Sequence, residues 1–272
     1  MEAIRLLKRR PWGIIGAAIL LTVIVIAALA PAIAPFFWNE ISIDARLQPP
    51  GGGHLLGTDN LGRDIFSRVV YGSRPYVVAG LIATGTSAVP GVVLGFLSAR
   101  IGRKTDSIIR GIIFVPAALM LLLVLFNLVS VFVRVFAPPP LLFPVRYPES
   151  ITVIVGLLLS LVLLPCFHAA AHKAFSRQAS GRGLASLFPL ILVSLGVAVG
   201  MAVPMISRMS YYGLGVPPPL PEWGNMISGS GRTYMLEAPW MAIIPTIAIA
   251  VTCLGLVIFG LALREVWFPR LH

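Results

Sequence analysis

His168 and His172 stand four residues apart at the end of an apolar run, a spacing that on a helix puts two imidazoles on one face, where they could hold a metal. No third ligand of the His, Cys or acidic type lies close in sequence. The pair therefore reads as interfacial residues on a basic helix end. Gly102-Arg103-Lys104-Thr105 carries the Lys-Thr of a phosphate-cradling loop but lacks the G-x-x-x-x-G-K-[ST] order, so no nucleotide site is expected. Neither H-E-x-x-H nor a Ser/His/Asp arrangement occurs. Cys166 and Cys253 fall in or beside apolar runs, as small buried hydrophobes without metal or disulfide spacing. No catalytic residue, metal or cofactor is assigned to the chain itself.

One polar island breaks the apolar pattern, H-L-L-G-T-D-N-L-G-R-D-I-F-S-R from His54 to Arg68. Pro49-Pro50-Gly51-Gly52-Gly53 ends any regular structure before it. Thr58 or Asp59 can cap a helix on which Leu61, Ile65, Phe66, Val69 and Val70 recur at helical spacing. Arg63, Asp64, Ser67 and Arg68 take the other faces, with Asp64 and Arg68 placed as an i,i+4 pair. The expectation is an amphipathic helix on the membrane surface, leading into a membrane span.

The elements that must position these residues are membrane spans. Hydrophobic residues make up 57% of the 272 and charged ones 11%, with a mean hydropathy of +0.92. A hydrocarbon core of ~30 Å takes about 20 apolar residues to cross. Six runs qualify: Trp12–Ile33, Tyr76–Ala99, Ile108–Val133, Ile151–Phe167, Leu184–Ile206 and Trp240–Leu263, the fourth being the shortest. The expected fold is an all-α integral membrane protein, six transmembrane helices in a single domain over residues 1–272. Arg5, Lys8, Arg9 and Arg10 before the first run resemble the start of a signal peptide. That run is longer than the ~7–15 residues of a cleaved apolar region, and Pro31 and Pro35 follow its small residues, so it reads as an uncleaved helix.

Orientation follows from Lys and Arg. With the N-terminus (1–11) inside and six alternating spans, the inner segments hold 13 of the 21 basic residues and 3 of the 10 acids. Both termini are thus expected in the cytoplasm. Residues 34–75 and 207–239 then form external segments, and 168–187 a cytoplasmic loop. The formal net charge of +11 sits at span ends, where anionic lipid explains it better than nucleic acid. Pro138-Pro139-Pro140, Pro144, Pro217-Pro218-Pro219 and Pro221 stiffen the outer loops. Pro90, Pro116, Pro204 and Pro245 favour kinks within spans, and Gly91-x-x-x-Gly95 and Gly196-x-x-x-Gly200 offer small packing faces. The span cores hold essentially no ionisable group, which argues against a proton-coupled carrier.

Leu56 to Arg74, L-G-T-D-N-L-G-R-D-I-F-S-R-V-V-Y-G-S-R, closely resembles the signature before the second helix of C-type permease subunits of dipeptide, oligopeptide and nickel ABC importers. Gly57, Thr58, Asp59, Gly62, Arg63 and Asp64 carry it. A second block, Gly213-Leu214-Gly215-Val216-Pro217-Pro218 with Pro221-Glu222-Trp223-Gly224-Asn225-Met226, is similar to the family's G-L-G-V-x-P-P and P-x-W-G-N-M. Pro239-Trp240, Arg264 and Pro269-Arg270-Leu271 also look like the family. The resemblance implies a permease in a bacterial or archaeal inner membrane. It would pair with a homologous permease, be driven by two cytosolic ATPases that bind ATP and magnesium, and receive substrate from an extracytoplasmic binding protein. ATP hydrolysis would lie on those partners, and this chain would be no enzyme.

Family permeases carry a cytoplasmic E-A-A-x-x-x-G loop that docks into the ATPase. Here the corresponding stretch is His168-Ala169-Ala170-Ala171-His172-Lys173, then Arg177, Gly181, Arg182 and Phe188-Pro189. Its glutamate is missing, its glycine is displaced and the loop looks shorter. A second reading is therefore a degenerate family member, a structural or assembly subunit without ATP coupling. A third, a secondary carrier, is disfavoured by the uncharged spans.

Overall fold

The computed structural model describes residues 11–101, 106–112, 148–176 and 187–267. Outside them lie the basic N-terminus, most of the expected third span and of the second outer loop, the stretch with Arg177, Gly181 and Arg182, and Pro269-Arg270-Leu271. The regular elements among the described residues are helices, without a β-strand, the α-helices being α1 Pro11–Ala28, α2 Ala30–Ile33, α3 Ile65–Tyr71, α4 Arg74–Ile101, α5 at 106–112, α6 Pro148–Ser176, α7 Leu187–Tyr211, α8 Trp223–Met226 and α9 Trp240–Trp267; loops and turns fill most of 34–64 and 212–222. Among them, four helical stretches are long and apolar enough to cross a membrane: Ile65–Ile101, Thr152–His172, Leu190–Tyr211 and Trp240–Ala262. The apolar helix Trp12–Ala28 is shorter. Large apolar side chains such as Leu21, Leu81, Val89, Ile247 and Leu254 stand exposed, as in a multi-pass membrane protein.

The chain forms two compact units, one from Met1–Val78 with Val199–His272 and one from Ala79–Ala198. In the first, α1 runs along α9, because Gly16 and Gly255 let the backbones meet. A Cβ on Gly16 would lie 2.8 Å from the Gly255 carbonyl oxygen, and one on Gly255 2.6 Å from Ile19. Pro31 ends the continuous run expected to Ile33. It has no N–H for the Ala27 carbonyl, which instead accepts a hydrogen bond from Arg74 Nε at 3.2 Å.

In the second unit the Gly91-x-x-x-Gly95 face of α4 packs against α6. A Cβ on Gly91 would lie 2.5 Å from Phe167 Cβ, and one on Gly95 2.6 Å from Ala171 Cβ. The helix α6, whose apolar run looked shortest, extends for 29 residues through Pro165 and past His172. Ala169, Ala170 and Ala171 are therefore helical, and Lys173 continues the same helix. The alanines favour helix strongly enough to carry it beyond the apolar window.

Candidate functional site

The polar island folds as a loop tied together by its own side chains. Asp59 Oδ1 accepts from the backbone N–H groups of Leu61 at 2.8 Å and Arg63 at 3.0 Å. Its Oδ2 accepts from Arg63 Nε at 2.7 Å, and Arg68 Nε stands 3.8 Å away. Thr58, fully buried, donates to the Ala45 carbonyl and accepts from Gln48 N at 2.8 Å. Gly62 turns the chain at φ +75, against the Ser42 backbone.

Helix α3 begins after this loop, later than the residue pattern suggests. Its cap is Asp64, not Thr58 or Asp59, and the Asp64 side chain accepts from Ser67 N at 2.7 Å. The remaining carboxylate oxygen meets His54 Nδ1 at 3.0 Å. Asp64 consequently makes no pair with Arg68. Arg68 Nη1 donates to the Trp38 carbonyl at 3.1 Å and to the Pro219 carbonyl at 3.3 Å. Ser67 and Arg68 are buried along with Ile65 and Val70, so the polar side of α3 is packed, not solvated. Polar groups can be buried there because each finds a partner.

Those partners include the second block, some 150 residues away in the chain and part of the same compact unit. Glu222, fully buried, caps α8 by accepting from Gly224 N at 2.8 Å and Asn225 N at 2.9 Å. It also accepts from the Tyr76 hydroxyl at the start of α4, which meets Ser207 Oγ at 2.6 Å. Trp223 packs against Tyr76 with ring centroids 4.8 Å apart and ring planes tilted by 51°, and donates from Nε1 to the Val69 carbonyl at 2.9 Å. Asn225 Nδ2 ties the Val216 and Leu220 carbonyls, each at 2.9 Å. Trp240 Nε1, opening α9, donates to the Thr58 carbonyl at 3.1 Å. The two blocks that stand apart in the sequence are one hydrogen-bonded assembly.

Proteins similar over almost their whole length decide what this assembly belongs to. A dipeptide transport system permease protein of Haemophilus influenzae is 32% identical over 289 residues, covering 97% of this chain and 92% of its own length. One from Alkalihalophilus pseudofirmus is 28% identical over 290 residues, covering 99% and 90%. The family described as the N-terminal transmembrane domain of oligopeptide transport permease C matches residues 1–50. This chain belongs to the C-type permeases of peptide ABC importers. As a member of that family it is a permease subunit of a multi-subunit transport system.

In this permease the buried loop gives Thr58 a measurable role. Thr58→Val keeps the side chain's shape but removes both its hydrogen bonds in a fully buried site, so a loss of about 2 kcal/mol is expected. Thr58→Ser retains the hydroxyl and should unfold close to wild type. Thermal unfolding of the purified proteins in one detergent separates the two.

No third partner for His168 and His172 lies close in sequence, yet the fold brings one. Asp106 Oδ1 lies 3.8 Å from His168 Nε2 and 3.6 Å from His172 Nε2, and Arg110 pairs with the other oxygen. Ser98 Oγ meets His168 Nε2 at 3.1 Å. Arg110 occupies the carboxylate as its cation, and among the described residues no group of three has the arrangement of a metal site. The cluster sets the start of α5 beside the C-terminal part of α6. The links of Glu222 to Tyr76 and of Asp106 to the histidines join distant segments, and no local spacing announces them.

Proposed function

We propose that this permease is half of the translocation path of an ATP-driven importer for peptides or related small solutes. A homologous permease supplies the other half, two cytosolic ATPases drive it, and an extracytoplasmic binding protein delivers substrate. The observation that carries the reading is similarity across nearly the whole chain to permeases named for dipeptide transport. The absence of a nucleotide-binding loop in the sequence supports placing hydrolysis on separate subunits.

In this reading six helices cross the inner membrane and both termini face the cytoplasm, in line with the excess of Lys and Arg on the inner segments. The signature loop and α3 then lie on the outer side with the second block. Their dense hydrogen bonding makes a rigid rim suited to receiving a binding protein. The stretch from Ala169, Ala170 and Ala171 through Lys173, Arg177, Gly181 and Arg182 is assigned the ATPase contact, its Lys and Arg supplying the positive charge while Ala171 packs against α4.

Replacing Lys173, Arg177 and Arg182 together by Gln tests the arrangement. Co-purification of the ATPase with the tagged permease should fall by about tenfold, roughly 1.4 kcal/mol of binding, while association with the second permease persists. Unchanged ATPase recovery would place the contact elsewhere.

A further inference from the structure

Asp59, Asn60, Arg63 and Arg68 from the signature loop, with Asn225 and Ser230 from the second block, line a partly open cleft of about 190 Å³. Its charged lining residues are Asp59, Arg63 and Arg68, a surplus of one positive charge. Glu222 does not line it, and its oxygens are taken by Gly224, Asn225 and Tyr76. The Arg68 head is committed to the Trp38 and Pro219 carbonyls. Arg63 is not. Only its Nε is engaged, by Asp59, and its terminal nitrogens make no hydrogen bond to any described residue.

Asn60 adds a second observation. Its Oδ1 is buried and has no hydrogen-bond partner among the described residues. An unmet buried acceptor beside an unmet guanidinium marks a place where a polar group is missing. The volume lies below the ~300–1,000 Å³ of pockets that enclose a drug-sized molecule. It suits a single polar head with a short stem.

We propose that this cleft binds a carboxylate. The terminal nitrogens of Arg63 match a carboxylate in the paired, planar geometry that makes such contacts strong. Asn60 turns its amide to donate to the same group, which relieves its unmet oxygen. The carboxylate belongs either to the C-terminus of a transported peptide or to an acidic side chain of the binding protein. The cleft's placement on the outer side rests on the proposed importer topology; its preference for an anion does not.

The test uses the full chain in membranes, with Cys166 and Cys253 replaced by alanine and one new thiol, Ser230→Cys. The Ser230 side chain makes no hydrogen bond that holds the signature loop. The thiol is treated with an anionic sulfonatoethyl and a cationic trimethylammonioethyl methanethiosulfonate, and the rates are normalised to a free thiol. A surplus positive charge at close range should favour the anionic reagent about tenfold, and Arg63→Gln should bring the ratio near one.

A dipeptide that slows labelling when its C-terminal amide does not identifies the peptide as the source. Protection by the peptide-free binding protein identifies the protein. A normalised ratio at or below one at Ser230→Cys, or no protection by either ligand, overturns the proposal. Labelling needs no ATPase, so a chain that never assembles with one contradicts the importer reading and leaves this result readable.

Discussion

Replacing Gly62 with alanine is expected to release the signature loop. Gly62 adopts φ +75, a left-handed conformation that costs a side chain roughly 1–2 kcal/mol. The larger cost is contact, because the added Cβ would fall on the Ser42 carbonyl, a backbone group that cannot rotate away. The Ser42 turn and the Asp59–Arg63 loop must separate, at a total of at least about 3 kcal/mol. Gly53→Ala is the control: nothing lies within 4 Å of a Cβ there, and the change should stay within about 0.5 kcal/mol. The measurement is thermal unfolding in detergent, supplemented by protease cleavage between 40 and 65, which should accelerate in Gly62→Ala alone.

Glu222→Ala should cost a similar amount. Its carboxylate accepts from two backbone N–H groups and the Tyr76 hydroxyl in a site with no solvent exposure. Removing it leaves the Gly224 and Asn225 N–H groups unmet, each worth about 1–3 kcal/mol, while the Tyr76 hydroxyl keeps Ser207 Oγ, so a loss of roughly 2–6 kcal/mol is expected. Glu222→Gln keeps the shape and one accepting oxygen but turns a donor toward a donor, and should lose about half as much. Equal unfolding temperatures for Ala and Gln variants would show that the carboxylate's hydrogen bonds are not what joins α8 to α4. Tyr76→Phe, which removes one of the three donors and leaves the Glu222 carboxylate accepting from Gly224 N and Asn225 N, should be milder than Glu222→Ala.

These two residues show what local pattern can and cannot reveal. Gly62 sits in a stretch whose glycines, aspartates and arginines mark an ordered loop, so the site was legible in the sequence. The details were not. Asp59 looked like a helix cap but closes the turn through Leu61 N and Arg63 N, and Asp64 caps α3 instead. The expected Asp64–Arg68 pair fails because His54 and Ser67 N occupy the carboxylate. Glu222 stood in the second block, but its link to Tyr76, 146 residues away, had no local sign.

Apolar runs foretold α1, α4, α6, α7 and α9, because length and hydropathy are properties of a segment by itself. Their ends shifted where propensity outlasted hydropathy, as at the alanines of α6, or where proline removed a donor, as at Pro31. The His168–His172 pair was visible as a spacing. Asp106, which gives it meaning, comes from another helix.

The central claim is that this permease serves as the membrane half-path of a machine driven by ATP. Its most direct test is peptide uptake by proteoliposomes holding this chain, its partner permease and the two ATPases, with ATP enclosed and the binding protein outside. The account predicts uptake that requires enclosed ATP and the binding protein together and disappears when this chain is omitted. Assembly of the complete complex without ATP-dependent uptake, or uptake by this chain alone down a gradient, would contradict it.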